Sequence, residues 1–384
     1  MFSFRGEALI GQQMFKVLED ARQLEQRGER VYHLELGNPR LNPPEGAIDE
    51  VVASLRRSEV GYTYSSGVPA LRQAVARLYH TALGLSLSEG NVVISPANLI
   101  INQFLDIVCN RGDQVVFFTP AFPTYWAAAT HIGLNVTSVP LSPETGYALT
   151  HDAIDQAMAA QPKAIIVNSA NNPTGAVYSQ DVLDRLVAEC AKRGIWLLSD
   201  ETYGDISFGR QFYSLAPHVA AGELRLVVMS SFSKIFSVPG FRTGYILAHP
   251  MVAEKFSLSV STLISCLPIF TQLGCVEALN TFSEYTASVR TRCSSITAWC
   301  TDVLRQSNRI SFTPPDAGFY FFLDISACGL DDFAFAERLL AEQHTAVIPG
   351  SSFGEAYTSH IRIATCGLEE DVRAGVQRIL AFAG

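Results

Sequence analysis

The sequence predicts an α/β fold, a mostly parallel sheet covered by helices on both faces, with a smaller α+β domain built from both termini. Two observations carry this. Four short apolar runs, QVVFFT (114–119), KAIIVN (163–168), GIWLLSD (194–200) and RLVVMS (225–230), are β-rich and nearly continuous. Strands covered on both faces read that way. Between the runs lie longer stretches with helical spacing, and this alternation builds parallel sheets. A chain of 384 residues is long enough for a large core and two domains.

The elements follow in chain order. VYHLELGNPRLNPPEG (31–46) reads as a short strand followed by a proline-rich crossing. ISPANLIINQFLDIV (94–108) runs from strand into an apolar helix, and Pro96 fits a helix start because its missing N–H would be unpaired there anyway. In SQDVLDRLVAECAKRG (179–194) the residues Val182, Leu183, Leu186 and Val187 recur at helical spacing, and Gly194 is placed as a C-cap. FSLSVSTLISCLPIFTQLGCVEAL is the most apolar later segment. Ser, Thr and Pro268 break it, so it reads as buried helix rather than a membrane span. A helical stretch from 285 leads into GFYFFLDI (318–325) and then HIRIAT (360–365), a second α+β region that the N-terminal strand joins. The expected division is 46–284 for the large domain and 1–45 plus 285–384 for the small one.

Composition narrows the function classes. The net charge is −9 with acids and bases interspersed, so no basic stripe points to nucleic acid or an anionic membrane. The eight cysteines form no CxxC pair and lie near no histidine at ligand spacing. Buried free thiols of a cytoplasmic protein are expected, and no metal. The N-terminus lacks the apolar core of a signal peptide.

Ligands in open α/β sheets bind just beyond the carboxyl ends of the strands. Here those ends carry Asn168, Asn171 and Asn172; Asp200 and Tyr203; Ser231, Ser233 and Lys234; and the aromatic Phe122 and Tyr125. Each has an ordinary reading as loop Asp, turn Asn, core Phe or solvated Lys, but together they converge on one cleft. A desolvated lysine can bond to an aldehyde and act as a base. A buried aspartate keeps a pyridine nitrogen protonated, Tyr and Asn donate to a phenolic oxygen, and an aromatic face stacks on a flat ring. Pyridoxal phosphate needs that set. Its phosphate would take the hydroxyls, Arg242 and the amides of Ala97 and Asn98 opening a helix.

With these parts in place, the chain resembles the class I/II aminotransferases, fold-type-I pyridoxal-phosphate enzymes, over nearly its whole length. SSFSKIFSVPGFRTGY looks like the family's cofactor-lysine signature, which makes Lys234 the Schiff-base residue. NNPTG is similar to its asparagine motif, implying that Asn172 contacts the phenolic oxygen and lies by the substrate. SDETYGD resembles its Asp-x-x-Tyr pair, with Asp200 at the ring nitrogen and Tyr203 at the phenolic oxygen. PAFPTY resembles the stacking segment, with Phe122 on the ring. GYTYSSGVPALRQAVA resembles the segment whose tyrosine, here Tyr62, reaches the phosphate of a neighbouring subunit, implying a homodimer with a shared site. PGSSFGE followed by HIRIAT looks like the C-terminal signature, with Arg362 on the substrate α-carboxylate and Gly37 of LELGNP close by. One departure is SPAN, with Pro96 where the family usually has glycine.

The resemblance implies a pyridoxal 5'-phosphate enzyme that moves an α-amino group between an L-amino acid and a 2-oxo acid. An alternative on the same scaffold is a lyase or cyclase acting at Cβ or Cγ. A non-catalytic regulator is a third, against which the intact Lys234, Asp200 and Arg362 count. Tyr32, His33, Tyr64, Tyr125 and a loop near Ser261 are candidates for the substrate side-chain pocket, and Arg40 reads as a surface residue.

Overall fold

The apolar runs hydrogen-bond to one another in the computed structural model, which describes residues 2–384. In chain order the strands are β1 (Tyr32–His33), β2 (Val92–Ser95), β3 (Gln114–Thr119), β4 (Asn135–Pro140), β5 (Ala164–Asn168), β6 (Trp196–Asp200) and β7 (Leu226–Ser231). They continue with β8 (Gly244–Ala248), β9 (Ser311–Phe312), β10 (Tyr320–Asp324), β11 (Thr345–Ala346), β12 (Ile348–Pro349) and β13 (His360–Ala364).

Seven of them form the large sheet in the order β2-β8-β7-β6-β5-β3-β4. The pairs from β7 to β4 are all parallel. Only β8, which sequence reading did not identify, runs against its two neighbours. Residues of β5 are buried without exception, as are Leu197 to Asp200 of β6 and all of β7, so these strands are apolar on both faces. The register places Asn168 opposite Asp200 and Asp200 opposite Met229, which aligns the carboxyl ends of β5, β6 and β7.

The helix read at 179–194 spans Gln180–Arg193 and ends on Gly194 at φ 69°, the left-handed conformation that suits glycine. Pro96 takes the N-cap of the helix Ala97–Val108, one position before its first turn. The apolar segment 256–279 is not one buried helix. It divides into Pro250–Ile264 and Ile269–Asn280, because Ser265 turns to φ 63° and Pro268 starts the second helix. Leu258, Leu263 and Ile264 of the first helix are exposed. Among the described residues no helix is long and apolar enough to cross a membrane.

A separate antiparallel sheet has the order β12-β13-β10-β9, and β1 pairs in parallel with β11. The helix Phe282–Leu304 leads into this part, starting three residues earlier than its spacing suggested. Behind the small sheet lies a second core of Leu34, Phe321, Leu323, Phe335, Ile361, Ile363 and Val376. Strand alternation then fixes Arg362: its neighbours Ile361 and Ile363 point into that core, so its own side chain leaves by the opposite face.

Candidate active site

A cavity of about 440 Å³ opens at the carboxyl ends of the large sheet, where small-sheet residues meet it. It is lined by Lys234, Asp200, Tyr203, Asn172, Phe122, Ala97, Asn98, Ser231, Ser233, Arg242, Arg362 and Gly37. Every residue that the sequence assigned to cofactor or α-carboxylate is therefore brought to one place except Tyr62, whereas Asn171 and Tyr125, at the same strand ends, do not line the cavity. The Tyr62 side chain is 89% exposed and lies outside the cavity.

Lys234 stands in a four-residue helix, Phe232–Ile235, that begins as β7 ends. Ser231 caps it, its hydroxyl accepting from the Ser233 N–H at 3.2 Å. The lysine ammonium donates to the Gly37 carbonyl at 2.6 Å. Burial, with Arg362 and Arg242 nearby, lowers the Lys234 pKa to about 8. A neutral fraction of about a tenth is therefore present at pH 7, far more than an ordinary lysine offers a nucleophile or base role.

Asp200 ends β6 and is buried. One oxygen accepts from the Tyr125 hydroxyl at 2.8 Å. The other accepts from the Thr202 N–H at 3.1 Å and its hydroxyl at 2.6 Å. Burial pushes its pKa up against these bonds. A buried carboxylate fixed this way by neutral donors suits a cationic N–H presented from the cavity.

Asn168, at the end of β5, joins the two sides of the site. Its amide donates to the Asp200 carbonyl at 2.9 Å, and its side-chain oxygen accepts from the Asn172 N–H at 2.8 Å. Asn172 in turn accepts from Arg362 at 3.3 Å. Arg362 also donates to the Glu35 carbonyl and lies over the Tyr320 ring at 4.5 Å. Its Nε is buried without a partner among the described residues, an unused donor facing the requirement of an anion. The Tyr203 and Tyr320 hydroxyls are 2.9 Å apart, and burial holds the Tyr203 phenol well above its usual pKa.

The cavity also has the parts of an anion cradle. The helix Ala97–Val108 begins there, beside Ser231, Ser233 and Arg242. Gly244 lets the chain close around it: a Cβ would stand 2.8 Å from the Ser230 carbonyl and 3.2 Å from the Ala97 nitrogen. At Gly37 a Cβ would stand 1.8 Å from the Tyr320 hydroxyl, so only glycine fits. This donor set fits a phosphorylated aldehyde heterocycle: an amine, an acid for a ring N–H, an aromatic flank and an anion cradle.

Several expectations for the side-chain pocket are corrected. Tyr125 turns away to bond Asp200, Tyr64 is exposed, and His33 pairs with Glu35 and Glu25. Tyr32 stacks under Arg30 and Arg378, and none of the four lines the cavity. Ser261 is in a helix, not a loop. Arg40 is exposed, as expected. Sequence reading missed Tyr320, because YFFL is apolar throughout and no alternation reveals which residue faces the site. It also missed Met14 and Phe15, which reach the cavity from a helix remote in sequence.

Comparisons with known proteins give the family. A family model described as aminotransferase class I and II matches residues 29–379. An aspartate aminotransferase of Thermotoga maritima is 29% identical over 335 residues, 87% of this chain and 86% of that protein. A probable aspartate/prephenate aminotransferase of Aquifex aeolicus is 28% identical over 367 residues, 94% of this chain and 92% of that one. The solved structure of an aspartate aminotransferase from Thermus thermophilus with maleate superposes with a TM-score of 0.93 at 25% identity, covering 100% of this chain and 99% of that one.

Proposed function

The chain belongs to the class I and II aminotransferases, pyridoxal-phosphate-dependent enzymes, and from that premise we propose how its own residues carry out transamination between an amino acid and a 2-oxo acid. The observation that carries the reading is the meeting of Lys234, Asp200 and Arg362 on one cavity. Pyridoxal 5'-phosphate, when bound, supplies an aldehyde that takes up the amine and a cationic ring that accepts electrons from the substrate Cα.

Lys234 would anchor the cofactor and, once the substrate amine has displaced it, would take the proton from the substrate Cα and deliver it to the cofactor's former aldehyde carbon rather than back to Cα, a role suited to an amine of pKa about 8. Asp200, held in place by Tyr125 and Thr202, would keep the ring nitrogen protonated. Tyr203 and Asn172 would donate to the phenolic oxygen, and Phe122 would flank the ring. The amides of Ala97 and Asn98, the hydroxyls of Ser231 and Ser233, and Arg242 would hold the phosphate. Arg362 grips the α-carboxylate beside Asn172 and Gly37, which fixes the Cα–H direction.

Homodimer formation with a shared site is part of this reading. Tyr62 is exposed, as are Val60 and Tyr64 beside it in sequence and Leu263 and Ile264 next to the Ser265 turn. The two segments are joined by the Ser65 hydroxyl on the Ser265 carbonyl at 2.7 Å. Placed against a second copy, Tyr62 would reach the partner's phosphate site. We read the large domain as 46–284 and the small one as 1–45 plus 285–384, supported by the separate sheets and the second core. All eight cysteines are free, which supports a cytoplasmic, reducing setting.

The test is to load the protein with the cofactor and add single amino acids. Stoichiometric aminated cofactor and 2-oxo acid are expected. Release of ammonia, or a cyclised product, would instead assign lyase or cyclase chemistry.

A further inference from the structure

We infer that the preferred amino acid carries a large, uncharged apolar side chain rather than a second carboxylate; this rests on the transamination reading above. Beyond the groups assigned to cofactor and α-carboxylate, the cavity wall carries no further cation among the described residues. Most of its polar side chains are engaged: Gln12 donates to the Thr124 hydroxyl at 3.0 Å, Asn168 and Thr202 bond to Asp200, and Tyr320 meets Tyr203, which leaves Asn38 and an apolar remainder. The helix Gln13–Gln26 sends Met14 and Phe15 into it, the segment before Gly37 adds Leu36, and the helix Ala97–Val108 adds Ile101. These four residues come from three separate segments and line the same cavity.

The basic side chains on the wall are Lys234, Arg242 and Arg362, and each is held by backbone. Lys234 donates to Gly37, Arg242 to the Pro239 carbonyl at 2.8 Å, and Arg362 to Glu35 and Asn172. A substrate carboxylate laid on Met14, Leu36 and Ile101 would lose its water and find no cation there, only the neutral amides of Gln12 and Asn38 at hand. An apolar side chain there gains the surface it buries. Met14 is buried and unbranched, able to adjust to side chains of different shape. Phe15 is 56% exposed and stands where the wall meets solvent, so it determines what fits at the outer edge.

The test uses the cofactor-loaded enzyme in single half-reactions with L-phenylalanine, L-leucine, L-methionine, L-aspartate and L-glutamate. The apolar substrates are expected to exceed the acidic ones by at least about tenfold in kcat/KM, the scale on which pockets of this kind discriminate. Calorimetry gives a readout independent of turnover: 3-phenylpropanoate should bind with a Kd at least about tenfold below that of succinate. Phe15→Arg, at an exposed position that tolerates a polar side chain, should shift the phenylalanine-to-aspartate ratio toward aspartate by about tenfold. Aspartate or glutamate favoured over the apolar set, or a ratio unmoved by Phe15→Arg, would overturn this inference while transamination stands. If no amino acid yields a 2-oxo acid, the transamination reading falls and this inference with it.

Discussion

Arg362 is the residue on which substrate affinity should depend most. It is buried in the small sheet, with Tyr320 under its guanidinium and an unused Nε. Lysine at this position keeps the charge but loses the planar fork that meets a carboxylate with two bonds. Arg362→Lys should raise KM for every amino acid by one to two orders of magnitude, about 1.5–3 kcal/mol, with a smaller change in kcat. Steady-state kinetics on two substrates checks this. Lys234 makes a second expectation. With its pKa lowered to about 8, the amine is mostly protonated at pH 7 and mostly neutral at pH 9. The rate at which the cofactor-free protein attaches pyridoxal phosphate should therefore rise through a midpoint near pH 8, followed by absorbance. A midpoint near the ordinary lysine value of 10.5 would mean that the side chain is not desolvated as described.

At the scale of elements, the segment from β1 to Gly37 links the pocket helix to the substrate grip. His33 Nδ1 lies 2.8 Å from Glu35, and its Nε2 lies 3.2 Å from Glu25 near the end of the helix Gln13–Gln26. These carboxylates, Glu35 first, raise the His33 pKa from 6.5 to about 9. A raised folded-state pKa means the protonated form is favoured by folding. The stabilisation is complete below pH 6.5 and fades as pH rises through about 9. His33→Gln should lower Tm at pH 6 and make little difference at pH 10, measured by thermal unfolding across that range. The elements themselves were unevenly legible. Continuous apolar runs exposed β3, β5, β6 and β7 because both of their faces are buried. The antiparallel β8 was not legible, since pairing direction is set by distant chain. The aromatics of PAFPTY could not be told apart in sequence either. A helix begins at Thr124, so Phe122 stays at the cavity while Tyr125 turns in behind Asp200.

At the scale of the whole molecule, parallel strands of one sheet end on one edge, and this is why so much of the site could be read in advance. Asn168, Asp200 and Met229 are far apart in sequence yet aligned by register, and Ser231 follows Met229 at the end of β7. What could not be read depends on two sheets approaching one another: Tyr320 behind Tyr203, and Met14 and Phe15 on the cavity wall. The exposed Tyr62 side chain carries the expectation at this scale. Tyr62→Phe should leave folding intact and loosen the cofactor, read as a higher pyridoxal-phosphate Kd. Dilution of the wild type to the point of dissociation should produce the same loss, checked by sedimentation with cofactor absorbance. Full cofactor affinity in an isolated monomer would mean that each chain completes its own site.

The peptide oxygens of Glu35 and Gly37, two residues apart, receive Arg362 and Lys234 respectively. No exchange of one side chain for another can delete an oxygen that every amino acid brings with it. Shortening the chain by a single residue between Val31 and Leu36 would shift both oxygens at once. Change by length, rather than by letter, is therefore where this stretch is most vulnerable, and one such loss would unseat together the two side chains to which cofactor anchoring and substrate capture are here ascribed.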